Sequence, residues 1–448
     1  MLARFLTATA VLGLTAGMAS AEYKITILHT NDFHARFEPI SAYDSTCGAE
    51  DNDAGECFGG SARLVTAVEA AKERAGNYLL VDGGDQFQGT LFYTYYKGKA
   101  AAEMMNKMGY DGMTVGNHEF DDGPEVLKGF TEAVDFPILM SNADISGEPI
   151  LTDAIQKSII IEKDGEKIGM IGLTPQDTDE LASPGKNIIF TPPADAVAAE
   201  VERLKAEGVN KIVVLSHSGL NVDRAVAEAN PDVDIIVGGH DNSLLSNTIE
   251  GAKGPYPIMV GTTAIVQAYA YGKFLGELNV TFDDDGVITE AVGEPILLDA
   301  SVTEDETTKA RITEMAAPLD EIRNEVVAET SEAIEGSREV CRAMECQMGT
   351  LVADAMLARV ADQGIEVAIA NGGGLRSSID AGEVTMGEVL TVLPFQNTLS
   401  TFQVSGATLI EALENGVSQI EDGGGRFPQV AGISFTVTAS AEPGSRVS

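Results

Sequence analysis

Positive charge is scarce in this chain: 29 Lys and Arg stand against 69 Asp and Glu, a formal net charge of -40 over 448 residues. That balance disfavours nucleic acid and anionic membranes as partners, because both would be repelled over a Debye length. An anionic substrate would need a local positive patch or bound metal cations. Long apolar runs are equally scarce. Only the N-terminal "MLARFLTATAVLGLTAGMASAEYK" holds one, with Arg4 before it and Ala19-Ser20-Ala21 after it. The stretch from Phe5 to Gly17 is short for a membrane span of ~20 residues. It has the shape of a cleavable secretory signal, with the mature chain starting near Glu22; a retained anchor is the competing reading. The protein is therefore expected to be exported, periplasmic or secreted, with no membrane span in the mature chain. Cysteine is limited to four residues in two local pairs, Cys47 with Cys57 and Cys341 with Cys346. An even count in an exported chain points to two disulfides. Zinc ligation by thiolates is the alternative, although neither pair has a CxxC spacing.

What is present is enough to build large cores. Apolar residues make up 44% of the chain, and a chain of this length divides into two or more domains of roughly 100–200 residues. From Tyr23 onward, β-rich runs such as "YKITILHTND", "NYLLVDGGD", "KIVVLSHSG" and "DIIVGGHDN" alternate with helical stretches such as "SARLVTAVEAAKERAG" and "DAVAAEVERLKAEGVN". That alternation predicts a layered α/β domain. Each strand ends in a polar, glycine-containing turn, and strand C-termini are where such sheets bind ligands. The boundaries expected are 1–21 for the signal, 22–300 for the first domain, 301–327 for a polar linker helix N-capped by Ser301 or Thr303, and 328–448 for a smaller second α/β domain. At the end of the chain, "GISFTVTAS", the turn signal "AEPG" and "SRVS" read as a hairpin that has only begun to return. The second domain is thus expected to be incomplete at its C-terminus.

Histidine is also rare, with five residues: His29, His34, His118, His217 and His240. Four follow strands directly, in "NDFHAR", "GNHEFD", "LSHSGL" and "GGHDN"; His29, inside a strand, suits a core position. Asp32, Asp85, Asn117 and Asn242 lie at the same strand ends. Imidazole with carboxylate and amide oxygen suits divalent Zn, Mn or Co. The donors exceed one tetrahedral site, whereas two cations roughly 3.5–4 Å apart, sharing a carboxylate, would use them all.

The ordered motifs D-x-H, G-D, G-N-H, H and G-H resemble the calcineurin-like metallophosphoesterases. The fuller strings "ILHTNDFHAR", "GGDQFQGT", "GNHEFD", "NGGGLR", "GEVLTVLPFQN" and "GRFPQVAGISF" narrow the resemblance to the 5′-nucleotidase and UDP-sugar hydrolase family. The resemblance implies a layered (βαββ sandwich-type) metallophosphoesterase domain followed by a nucleotide-recognition domain. It implies one metal on Asp32, His34, Asp85 and Asn242, and another on Asp85, Asn117, His217 and His240, with Asp85 as the bridge. His118 would face the substrate phosphate, oriented by Asp121. Arg36, Arg342 and Arg376 would supply positive charge, and Asn371 and Phe395 would contact the nucleobase.

The implied activity is release of phosphate from nucleoside 5′-monophosphates by in-line attack of a metal-bound water or hydroxide. UDP-sugars and nucleoside di- or triphosphates are further candidate substrates. Alternatives on the same fold are a 2′,3′-cyclic-nucleotide phosphodiesterase or 3′-nucleotidase, a thiosulfate-ester hydrolase, and a non-catalytic nucleotide-binding protein. Three positions depart from common patterns: Gln88 where many relatives have a second Asp, "GHDN" in place of G-H-x-H, and Thr350 where relatives commonly carry Asn.

Overall fold

The computed structural model describes residues 22–42, 44–395, 397 and 399–448. The expected export signal lies outside the described residues.

Two mixed sheets pack face to face. In the larger, eight-stranded sheet, Tyr23–Thr30 runs parallel to Tyr78–Asp82 and antiparallel to Phe274–Phe282. Gly112–Thr114 and Ile138–Leu139 extend it in parallel. The smaller, six-stranded sheet has a parallel centre of Glu166–Leu173, Ile212–Ser216, Ile235–Val237 and Thr263–Val266. Antiparallel strands Ser158–Lys163 and Ile258–Val260 edge it.

Side-chain alternation builds two cores at once. Ile25, Ile27, Leu79 and Val81 point to the smaller sheet and join Met170, Leu215 and Ile236. Leu28 and Leu80 point the other way, under helices Ser61–Ala75, Lys99–Met108 and Pro124–Ala133. Helices Pro193–Ala206 and Leu220–Ala229 add Val197, Val201, Leu204 and Val226 to the core of the smaller sheet. The result is a layered α/β domain whose parallel strands end along one edge.

The polar segment after Leu298 forms helix Glu306–Ala316. Its cap is Asp305, whose carboxylate accepts the Thr308 N–H at 2.8 Å, not Ser301 or Thr303. Ser301 is already spent: its N–H and hydroxyl both donate to Asp299. Ile312, Met315 and Ala316 seat this helix on the outer core of the first domain. The next turn, Asp320–Arg323, bridges the two domains: Arg323 pairs with Glu38 of the first and abuts Gly387 of the second.

The second domain is built from short ladders, Val326–Thr330 with Gly382–Thr385 and Ala368–Asn371 with Pro428–Ala431. Helices Gln347–Arg359 and Gly406–Gly416 lie beside them. Its main core is small: Cys341, Cys346, Met348, Leu375, Ile379, Val384 and Val392. At the C-terminus, Thr436 and Ser448 exchange backbone hydrogen bonds across the turn, and Thr438 donates to Arg446. All four cysteines are in disulfides, Cys47–Cys57 and Cys341–Cys346, so the thiolate–zinc alternative is excluded.

Asp305→Ala should cost about 1 kcal/mol, the usual effect of losing a side-chain N-cap. Lys107, the Thr308 hydroxyl and the Thr308 N–H hold the Asp305 pKa down to about 2. A depressed carboxylate stabilises above its unfolded value of about 3.9 and loses that contribution as pH falls through the folded one. The gap in thermal midpoint between variant and parent should therefore be constant near pH 6 and close between about pH 4 and pH 2. An unchanged gap would assign the effect to something other than the carboxylate cap.

Candidate metal centre and substrate cleft

Loops leaving the strand ends of both sheets converge on one spot. Five of the seven expected ligands have left-handed backbone: Asp32 (φ 50°), His34 (φ 51°), Asp85 (φ 59°), His240 (φ 77°) and Asn242 (φ 53°). Each such non-glycine conformation costs on the order of 1 kcal/mol or more, and such strain concentrates at functional sites. The loops nearly touch. At Gly239 a Cβ would lie 2.8 Å from Gly83 O and 2.9 Å from His217 Nδ1, so that position accepts only glycine.

The donors form two groups that share Asp85: Asp32, His34 and Asp85, and then Asp85, His217 and His240. Within each group the candidate donor atoms lie within 4.8 Å of one another. His34 Nδ1 donates to Phe87 O at 2.9 Å, and His217 Nδ1 to Gly83 O at 2.6 Å. Those bonds fix both rings so that Nε2 faces the carboxylates, as a metal-binding imidazole requires. His34 Nε2 stands 3.8 Å from Asp32 Oδ1 and 3.9 Å from Asp85 Oδ2. That is too long for a hydrogen bond and right for two ligands of one cation at ~2.0–2.2 Å from each. Asp32 Oδ1 and Asn242 Oδ1 are buried with no hydrogen-bond partner. Asn117 Oδ1 lies 3.0 Å from His240 Nδ1, and His217 Nε2 lies 2.8 Å from Asp85 Oδ2. The donor set fits two divalent cations. The cluster also draws positive charge to itself. Burial opposes a charge on His217, yet Asp85 and Asp32 outweigh it and lift its pKa to about 10.

His118 sits beside this cluster. Its Nδ1 meets Asp121 Oδ2 at 2.7 Å, and its Nε2 is 3.9 Å from Asp85 Oδ2. Burial again works against the charged ring, but Asp121 and Asp85 together raise its pKa.

A cleft of about 590 Å³ opens here between the two domains. The first domain lines it with Asp85, Asn117, His118, Asp121 and His240, the second with Arg338, Arg342, Asn371, Arg376 and Phe395. Arg376 Nη2 donates to His34 Nε2 at 3.2 Å, and the Phe395 ring stacks on His118 at 5.3 Å between centroids. Asn371 holds Gly425 O at 3.3 Å. Burial first, then repulsion from Arg338 and Arg376, depresses the pKa of Arg342. Carboxylates thus predominate on one wall and arginines on the other, with Lys97 and Asp422 the exceptions.

Arg36 is the exception among the expected substrate contacts. It is 3% exposed, packs over the Tyr271 ring at 5.1 Å and does not line the cleft. Thr350 also points elsewhere, to Glu345. Arg338, which the motif reading passed over, donates to His240 O at 2.7 Å. The signal for it was present in "SREVCR": Arg338 and Arg342 are four apart and share a helical face.

The calcineurin-like phosphoesterase family model matches residues 25–243, and the 5′-nucleotidase C-terminal domain model matches residues 326–448. A 5′-nucleotidase of Mus musculus is 39% identical, covering 96% of this chain and 78% of that one. A snake venom 5′-nucleotidase of Naja atra is 39% identical over 95% of this chain and 84% of its own. Among solved structures, a 5′-nucleotidase precursor from Thermus thermophilus superposes with a TM-score of 0.89. It is 38% identical and covers 95% of this chain and 84% of that one.

Removing the shared carboxylate tests the geometry. Asp85→Ala, equilibrated with Mn²⁺ and desalted, should retain less than one metal per chain by elemental analysis; two retained metals would sink the shared-ligand arrangement.

Proposed function

This chain belongs to the 5′-nucleotidase family, and from that premise we propose how its residues divide the work. The protein is a phosphoric monoester hydrolase of nucleotides. We assign nucleoside 5′-monophosphates as its principal substrates, with UDP-sugars and nucleoside di- or triphosphates as further ones. The observation that carries this reading is the pairing across one cleft of an arginine wall with a carboxylate–imidazole cluster.

Asp32, His34, Asp85 and Asn242 would hold one divalent cation, and Asp85, Asn117, His217 and His240 the other, with Zn, Mn or Co suiting the donors. Such cations, when bound, neutralise phosphoryl oxygens and lower the pKa of water. The chain's own groups do the rest. Arg338, Arg342 and Arg376 receive the phosphate oxygens, relieving their mutual repulsion. Asn371 and the Phe395 ring receive the base. Asp121 keeps a proton on His118 Nδ1, which leaves Nε2 to face the phosphate. As the phosphorus–oxygen bond to the nucleoside breaks, the leaving oxygen takes the Nε2 proton of the charged imidazole. The two disulfides support an oxidising compartment, and with the N-terminal leader they support export. No helix among the described residues is long and apolar enough to cross a membrane.

Phosphate release from AMP should vanish with a chelator and return on adding Zn²⁺, Mn²⁺ or Co²⁺. Release that persists in excess chelator would remove the metal-dependent reading. The acid role has its own test. Asp121 raises the pKa of His118, so Asp121→Asn should move the alkaline limb of the kcat profile to lower pH as well as lowering its maximum. A lower maximum with the limb unmoved would mean that His118 is not the proton donor.

A further inference from the structure

Glu119 follows the phosphate-facing histidine directly in sequence and is fully buried. Its carboxylate does not line the cleft. Oε2 accepts the Gly116 N–H at 2.7 Å and the Asp85 N–H at 3.0 Å. Oε1 accepts the Gln86 N–H at 2.8 Å and the Phe87 N–H at 3.2 Å. An ionised carboxylate has about four lone-pair sites. Here all four are filled by backbone amides. The amides belong to two different loops. Residues 85–87 follow strand Tyr78–Asp82, and Gly116 follows strand Gly112–Thr114. These loops carry Asp85 on one side and Asn117 with His118 on the other. They approach so closely that a Cβ on Gly116 would collide with Asp85. The His118 N–H donates back to Asp85 Oδ1 at 2.9 Å, closing the junction.

We propose that Glu119 is a positioning residue whose carboxylate clamps the Asp85 loop to the Gly116–His118 loop and sets the spacing of Asp85, Asn117 and His118. The inference rests on the two-cation reading above. Glu119 touches neither the substrate nor the cleft, so its loss should fall on metal affinity and kcat and leave KM for AMP unchanged. Oriented groups of this kind are typically worth 10–100-fold in metal affinity or activity. Without the clamp, Asp85 has less reason to hold its left-handed backbone, and the carboxylate that both cations need is free to turn away.

Glu119→Gln keeps the shape but places an NH₂ group against two of the four N–H donors. With Mn²⁺ titrated calorimetrically into chelator-stripped protein, the variant should bind about 10–100-fold more weakly. At saturating Mn²⁺ its kcat for AMP should fall by a similar factor. A merely structural role would lower the thermal midpoint and leave Mn²⁺ affinity and kcat at parental values; that result overturns the proposal. If the variant does not fold, amide exchange in the wild-type holoenzyme decides. The Gln86, Phe87 and Gly116 amides should exchange far more slowly than exposed loop amides, and exchange at loop rates overturns the clamp. Wild-type protein that takes up no Mn²⁺ would instead refute the two-cation reading itself.

Discussion

Asp32 and Asp85 are both buried, and both lie within 4 Å of the imidazoles of His34 and His217. Two carboxylates withdrawn from water at such close quarters repel one another, and burial penalises the charge on each. Positive charge must be brought to them, and the surrounding architecture is arranged around that need. Strands Tyr23–Thr30 and Tyr78–Asp82 of the larger sheet deliver the acids; strand Ile212–Ser216 and the loop after Ile235–Val237 of the smaller sheet deliver His217 and His240. The dry layer between the sheets, with Ile25, Ile27, Val81 and Leu215 fully or nearly fully buried, holds the two contributions in register.

The second domain answers the opposite imbalance. Among 29 cationic side chains set against 69 anionic ones, four arginines, Arg338, Arg342, Arg376 and Arg426, line one side of a single cleft. Their neighbours are glycines 373, 374 and 423–425, whose small size leaves room beside the guanidinium groups. A strongly acidic protein can thus present a locally cationic surface without changing its overall character. A net charge of this size favours solubility.

Much of this was legible in the residues because it is local. Strand alternation in "YKITILHT" announces two cores. Histidines placed immediately after apolar runs announce a cluster at strand ends. Cysteines ten and five residues apart announce two small rings, as found. What escaped the sequence depends on competition and on depth. Asp305 caps its helix because Ser301 is engaged by Asp299, a choice that spacing alone does not disclose. Arg36 follows a ligand motif and so invites a role at the cleft, yet the left-handed turn through Asp32, His34 and Ala35 leaves it buried against Tyr271. Glu119, one step from a conspicuous histidine, looks like a surface acid until the amides of two loops are seen converging on it.

The left-handed conformation of the ligand loops narrows the alphabet available to them. Apart from glycine, asparagine and aspartate are the L-residues that visit this region most readily, because their short polar side chains can bond locally. Asp32, Asp85 and Asn242 are therefore chosen twice over, once by the cation and once by the backbone. A glutamate would keep the charge and a glutamine the amide, but each would lengthen the arm and enter the left-handed region less readily. Substitutions that a chemist would call conservative are thus among the least tolerable here. Drift at these positions is confined to a vocabulary of two or three letters, set as firmly by peptide geometry as by coordination chemistry.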